Sequence, residues 1–152
     1  MRIRRSVIAL AMLTLFLMPR VGKSQGTQPG DKRKSSVAKM GQNYPNPFNP
    51  DASIDFDIGG YPTCTEPGKQ YRVSLQVFNV LAQVVAVPDL VKASSGVAKG
   101  QLKNLQLPCG HYTAFWNGKY AGSSRSVSSG LYIWALDVNG GREQVVKSIV
   151  AK

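Results

Sequence analysis

Gln42-Asn43-Tyr44-Pro45-Asn46-Pro47-Phe48-Asn49-Pro50-Asp51-Ala52-Ser53-Ile54-Asp55-Phe56-Asp57-Ile58 decides the fold class. Pro45, Pro47 and Pro50 fix their own φ and push Tyr44, Asn46 and Asn49 toward extended backbone, so this segment is not helical. Ile54, Phe56 and Ile58 then recur at every second position with Asp55 and Asp57 between them, the pattern of a half-buried strand. A stiff lead-in therefore runs into the first long strand.

The same texture continues outward from that stretch. Tyr71 to Asn79 sets Val73, Leu75 and Val77 on one face, and residues 83–87 form its hairpin partner across Val80-Leu81-Ala82. Residues 93–106, with Gly96 and Gly100, predict a connection or weak strand. His111 to Trp116 alternates with Tyr112, Ala114 and Trp116 in phase, and residues 131–138 and 143–150 pair across Asn139-Gly140-Gly141, a tight-turn sequence. About seven short strands, and no helix after residue 18, predict an all-β, Ig-like (fibronectin-like) antiparallel β-sandwich over residues 42–152.

The run Pro45-Asn46-Pro47-Phe48-Asn49-Pro50 resembles the opening of the type A C-terminal sorting domain of type IX secretion, a relative of the Ig-like domain of flagellar hook-capping proteins. Val73 to Val85 is similar to that family's second strand and turn, Trp116-Asn117-Gly118 to its Trp-Asp/Asn-Gly turn, Ser129-Gly130-Leu131-Tyr132 to its Ser-Gly-Val-Tyr segment, and Val145 to Lys152 to its basic, β-branched close. The resemblance implies the same sandwich and a sorting role in outer-membrane translocation or surface attachment. Its partners would be an envelope translocon and a sortase-like protease. The positions that carry it are Pro45, Asn46, Pro47, Phe48, Asn49, Pro50, Gly130, Tyr132, Lys147 and Lys152. A protruding proline-stiffened segment and a final edge strand would dock by backbone pairing at little ordering cost. Two departures stand out: Ala82 replaces the family's turn glycine, and Ala135 stands where a polar or basic residue is common. No large cargo separates the lead-in from the N-terminal region, so a stand-alone adhesion or assembly module is the alternative, and a small glycan-binding module a third reading.

The N-terminal region reads as export. Arg2, Arg4 and Arg5 precede the apolar run Val7 to Met18, then Pro19 and small residues, the layout of a signal peptide over 1–24. An uncleaved anchor is the alternative, although the run is shorter than the ~20 apolar residues that span a bilayer. Residues 25–41, rich in Ser, Gly, Lys and Gln, predict a flexible basic linker. The expected location is the periplasm in transit, then the outer-membrane surface or the exterior.

Charge does not favour nucleic acid. The formal net charge is +11, but five of the nineteen basic residues lie in the signal segment, and the remaining fourteen against eight acids leave +6. About half of that sits in the linker, which fits a weakly attracted cell-surface polysaccharide better than base recognition.

Cys64 and Cys109 are the only cysteines, and export makes a disulfide the natural reading, with two free thiols as the alternative. His111 is the only histidine, and it has no metal-ligand spacing with either cysteine. Ser123, Ser124, Ser126, Ser128 and Ser129 lack a Gly-x-Ser-x-Gly elbow. Asp55 and Asp57 read as the outer face of an amphipathic strand rather than paired acids. Asn43, Asn46, Asn49 and Asp51 read as local caps rather than calcium ligands. Neither an enzyme, nor a metal site, nor a cofactor is expected. Tyr112 with Trp116, and Tyr132 with Trp134, are expected in the core, with an aromatic sugar platform as the alternative.

Overall fold

The computed structural model of the protein describes residues 36–93 and 100–152. These residues all belong to one compact unit, Arg33–Lys152. The expected signal peptide and all but the end of the expected linker lie outside them.

Ten strands and no helix occur among the described residues. They are β1 (Ala38–Met40), β2 (Ala52–Ile58), β3 (Gln70–Phe78), β4 (Val84–Ala86), β5 (Asp89–Ala93), β6 (Gly100–Gln101), β7 (Leu105–Pro108), β8 (Gly110–Trp116), β9 (Gly130–Val138) and β10 (Gly141–Val150). One antiparallel sheet runs β1-β2-β8-β5-β6; the other runs β10-β9-β3-β4, with β7 also paired to β3. We call them sheets A and B.

The alternation in the sequence explains which faces meet. Ile54, Phe56 and Ile58 of β2 and Tyr112, Ala114 and Trp116 of β8 point inward from sheet A. Val73, Leu75 and Val77 of β3 and Tyr132, Trp134, Leu136 and Val138 of β9 point inward from sheet B. Both sets are buried in one core, which makes the fold an antiparallel β-sandwich, as expected. Asn139 and Gly140 both have positive φ, 53° and 86°, and close the β9–β10 hairpin in the two-residue form that matches strand twist.

Three strands were not expected. The expected linker extends to residue 41, yet Ala38 and Met40 are buried while Lys39 faces outward, and the three residues of β1 pair with Ile58, Asp57 and Phe56. The surrounding lysines and serines mask this short alternation. In β5 a register shift between Leu90 and Lys92 breaks the period-two pattern. β7 ends on Pro108 and pairs with β3 only, a position where a missing N–H is tolerated.

Candidate functional site

The strands β2 and β8 run antiparallel over their whole length, Ala52 opposite Trp116 and Ile58 opposite Gly110. Their two ends define two poles of the sandwich, roughly 20 Å apart at strand rise.

At the first pole the lead-in forms a loop pinned at its base and its tip. Tyr44 and Ser53 exchange backbone hydrogen bonds of 2.8 and 2.9 Å, closing the base. At the tip, Phe48 N–H donates to the Ile149 carbonyl at 2.9 Å, and Ala151 N–H donates to the Phe48 carbonyl at 3.0 Å. Phe48 thereby lies parallel to Val150 on the outer edge of β10. The prolines on either side carry no N–H, so Phe48 is one of the few lead-in residues able to donate here. Asn46 supplies a side chain in place of a backbone group: its Oδ1 accepts Ile149 N–H at 2.9 Å. Gln42 Nε2 donates to the Lys147 carbonyl at 2.9 Å, and buried Asn43 donates to the Pro45 carbonyl at 2.8 Å.

The Phe48 ring, 1% exposed, is the anchor. It meets Trp116 edge-on at 5.4 Å, and Trp116 in turn meets Tyr132 at 5.5 Å and Trp134 at 5.9 Å. Trp116 Nε1 donates to the Lys119 carbonyl and Tyr132 OH to the Ser128 carbonyl, each at 2.9 Å, so neither polar tip is stranded. Burial is the first cause that raises the Tyr132 phenol above its usual pKa. Gly118 is required at this pole: its φ is +67°, and a Cβ there would stand 1.9 Å from the Pro50 carbonyl oxygen. Lys152 N–H donates to Ser129 Oγ at 3.1 Å and its Nζ donates to the Val127 carbonyl.

Most of the residues singled out in the sequence therefore come together here: the lead-in from Pro45 to Pro50, the Trp116-Asn117-Gly118 turn, Gly130, Tyr132 and Lys152. Lys147 does not join them through its side chain, which is exposed opposite Ile133 on the outer face of sheet B. The lead-in also differs from the protruding segment expected. Phe48 is buried and the end of β10 is already covered, because one aromatic among prolines gains more by filling the core than by standing in water. An aromatic sugar platform built on Trp116 and Trp134 is overturned, since both rings are buried in the core. The contributions of Gln42, Asn46 and Gly118 join residues too far apart in the chain for spacing to disclose.

Two of the serines accept backbone bonds: Ser123 Oγ caps locally, accepting Arg125 N–H, and Ser129 Oγ accepts Lys152 N–H from the end of the chain. Asp55 and Asp57 lie on the outer face of sheet A, Asp55 Oδ1 accepting from Thr113 at 2.7 Å and Asp57 Oδ1 lying 2.7 Å from His111 Nδ1.

At the second pole Cys64 and Cys109 form the disulfide, with Cα atoms 5.6 Å apart. Cys64 lies on the crossing from β2 to β3 and Cys109 on the crossing from β7 to β8, so the bond ties together two passages between the sheets. Beside it, Glu66 accepts from Lys69 at 2.5 Å and from Tyr71 OH at 3.1 Å. The Lys69 bond, then the Tyr71 bond, hold the Glu66 carboxyl below its usual range. Burial first, then the hydrogen bond to Glu66, raises the Tyr71 phenol.

No family model matches the chain, and no curated protein matches it. Among solved structures, the Pseudomonas fluorescens alkylpurine DNA glycosylase AlkC bound to DNA containing an abasic site analog is similar, with a TM-score of 0.44 and 15% identity. The match covers 77% of this chain and 31% of that one. A likeness at that level carries no assignment of activity.

Proposed function

We propose that the chain is a non-enzymatic, exported Ig-like module of the type IX sorting kind, which directs passage across the outer membrane or attachment at the cell surface. The observation that supports this reading is the convergence of four separate stretches, the lead-in, the Trp116 turn, the Gly130–Tyr132 segment and the end of β10, on one pole of the sandwich. Pro45, Pro47, Asn49 and Pro50 are exposed around the buried Phe48 anchor, so the lead-in offers a backbone of fixed shape to a translocon. A recognition surface already ordered in the free protein loses little entropy on binding. The lead-in already occupies the backbone groups of Lys147, Ile149 and Ala151 on the edge of β10, so the exposed lead-in rather than that edge is the surface offered.

The test is fusion of residues 36–152, which include β1, to a periplasmic reporter in a host possessing the type IX translocon. The reporter is expected at the cell surface or in the medium, and a reporter that stays periplasmic overturns the proposal.

A further inference from the structure

The outer face of sheet A carries a hollow that the sorting role does not use. Gly41, just past β1, has no side chain, and a space of about 210 Å³ opens there, lined by Lys39, Gly41, Asp55, Phe56, Asp57 and His111. Two exposed rings lie against residues of its lining. Tyr44, 49% exposed, reaches Asp55 Oδ1 through its hydroxyl at 3.2 Å; Tyr61, 40% exposed, lies 5.9 Å from the His111 ring at a tilt of 34°. Tyr44 pairs with Ser53 near the start of β2, and Tyr61 follows its end at Ile58, so the rings flank a stretch on the order of 17 Å long.

The polar groups between the rings are held in place. Asp55 Oδ1 takes the hydroxyls of Thr113 and Tyr44, and Asp57 Oδ1 takes His111 Nδ1, which orients both carboxylates and leaves each Oδ2 without a hydrogen bond among the described residues. Two fixed anionic acceptors on alternate residues of one strand suit neutral hydroxyl donors, whose bonds to a charged oxygen are the stronger kind. Lys39 opposite Asp57 and Lys92 opposite Thr113 offset the two carboxylates. Polyanions meet Asp55 and Asp57, and cationic peptides meet the two lysines. The hollow is smaller than the ~300 Å³ of a drug-sized site, so it takes one ring while the tyrosines extend contact to its neighbours.

We infer that the outer face of sheet A, between Tyr44 and Tyr61, binds a neutral pyranose oligosaccharide. The carboxylate Oδ2 atoms and Lys39 Nζ bond its hydroxyls, and the tyrosine rings cover its apolar C–H faces. This site is independent of the sorting role, and its failure leaves the reporter's location unaffected.

The test is calorimetric titration of the full, oxidised chain with maltotetraose, laminaritetraose, cellotetraose and chitotetraose, alongside heparin and choline chloride. At least one neutral tetrasaccharide is expected to bind with a millimolar or tighter Kd. Tyr44→Ala and Tyr61→Ala should each weaken it by about fivefold to tenfold, the loss of one ring contact. Tyr44→Phe should retain most of the binding, Asp57→Asn should lose much of it, and Asp137→Asn on sheet B should change nothing; circular dichroism of each variant verifies folding. No heat from any neutral tetrasaccharide, equal binding by the folded Tyr44→Ala/Tyr61→Ala double variant, or tighter binding of heparin or choline overturns the inference.

Discussion

The two poles of the sandwich are closed by different chemistry. One is fastened by a covalent bond between two sheet crossings, the other by an aromatic plug and a few backbone hydrogen bonds across an edge. A covalent tie acts largely by restricting the unfolded chain, whereas a packed ring acts in the folded state through burial and contact. The first still needs close backbone approach, since a Cβ on Gly59 would stand 2.9 Å from Cys109 Cβ. The second depends on every neighbour, including the glycine that lets Pro50 approach.

The largest expected effect breaks the covalent pole. Replacing Cys64 and Cys109 together with Ser should cost about 4 kcal/mol, the chain-entropy value for a loop closed over a separation of 45 residues. Urea unfolding of oxidised wild type against the double variant measures it. Next is Phe48→Ala, which empties the plug and should cost about 3 kcal/mol, within the range for a buried aromatic. Hydrogen exchange should then quicken at Ile149 and Ala151, which bond to the lead-in, while amides around Cys109 stay protected. A Phe48→Ala protein with unchanged exchange at Ile149 would show that the plug does not hold the edge.

Gly118→Ala should cost about 2 kcal/mol, because the new Cβ meets the Pro50 carbonyl and the backbone is held at positive φ. Its thermal unfolding should resemble that of Phe48→Ala more than that of the cysteine variant. The turns at the two poles offer a smaller contrast. At the disulfide pole the β9–β10 turn uses Asn139-Gly140, whereas at the plug pole Ala82 is held at φ 58°. Ala82→Gly should stabilise the protein by up to about 1 kcal/mol, relieving a left-handed alanine, as a rise in Tm would record.

The smallest effects are those of pH. Tyr71 and Tyr132, one at each pole, have folded pKa values above the usual 10.0, so their contribution is intact below that value and is lost as pH rises through the folded values. Glu66, whose folded pKa is lowered, contributes above 4.5 and loses that contribution as pH falls through its folded value. Alkali should therefore loosen both poles, whereas acid should loosen the disulfide pole through Glu66. Amide exchange at pH 3, 7 and 11 distinguishes the two.

How much of this was legible in the sequence follows from the range over which each interaction acts. The strands β2, β3, β8, β9 and β10 were legible because their alternation and turn residues are local signals. The disulfide was legible because the chain has two cysteines, which leave one pairing, and its N-terminal region reads as export. β1 was hidden, since three residues among lysines and serines do not establish a period, and the shift near Val91 disguised β5. The plug was half legible: the prolines marked an extended segment, but nothing local says that Phe48 lies against Val150, or that Asn46 stands in for a backbone acceptor. Likewise, Tyr44 and Tyr61 share a face with His111 only because β2 and β8 are paired.

The bond from Ile149 to Asn46 joins residues 103 positions apart. Contacts of that span slow folding, since the chain between them must be ordered before they form. In a chain made from its N-terminus, Phe48 emerges well before the strand that receives it, and until β10 is in place the aromatic cluster stays uncovered. The lead-in thus works as a completion latch: the sandwich closes at this pole only after the strand that receives Phe48 has been made.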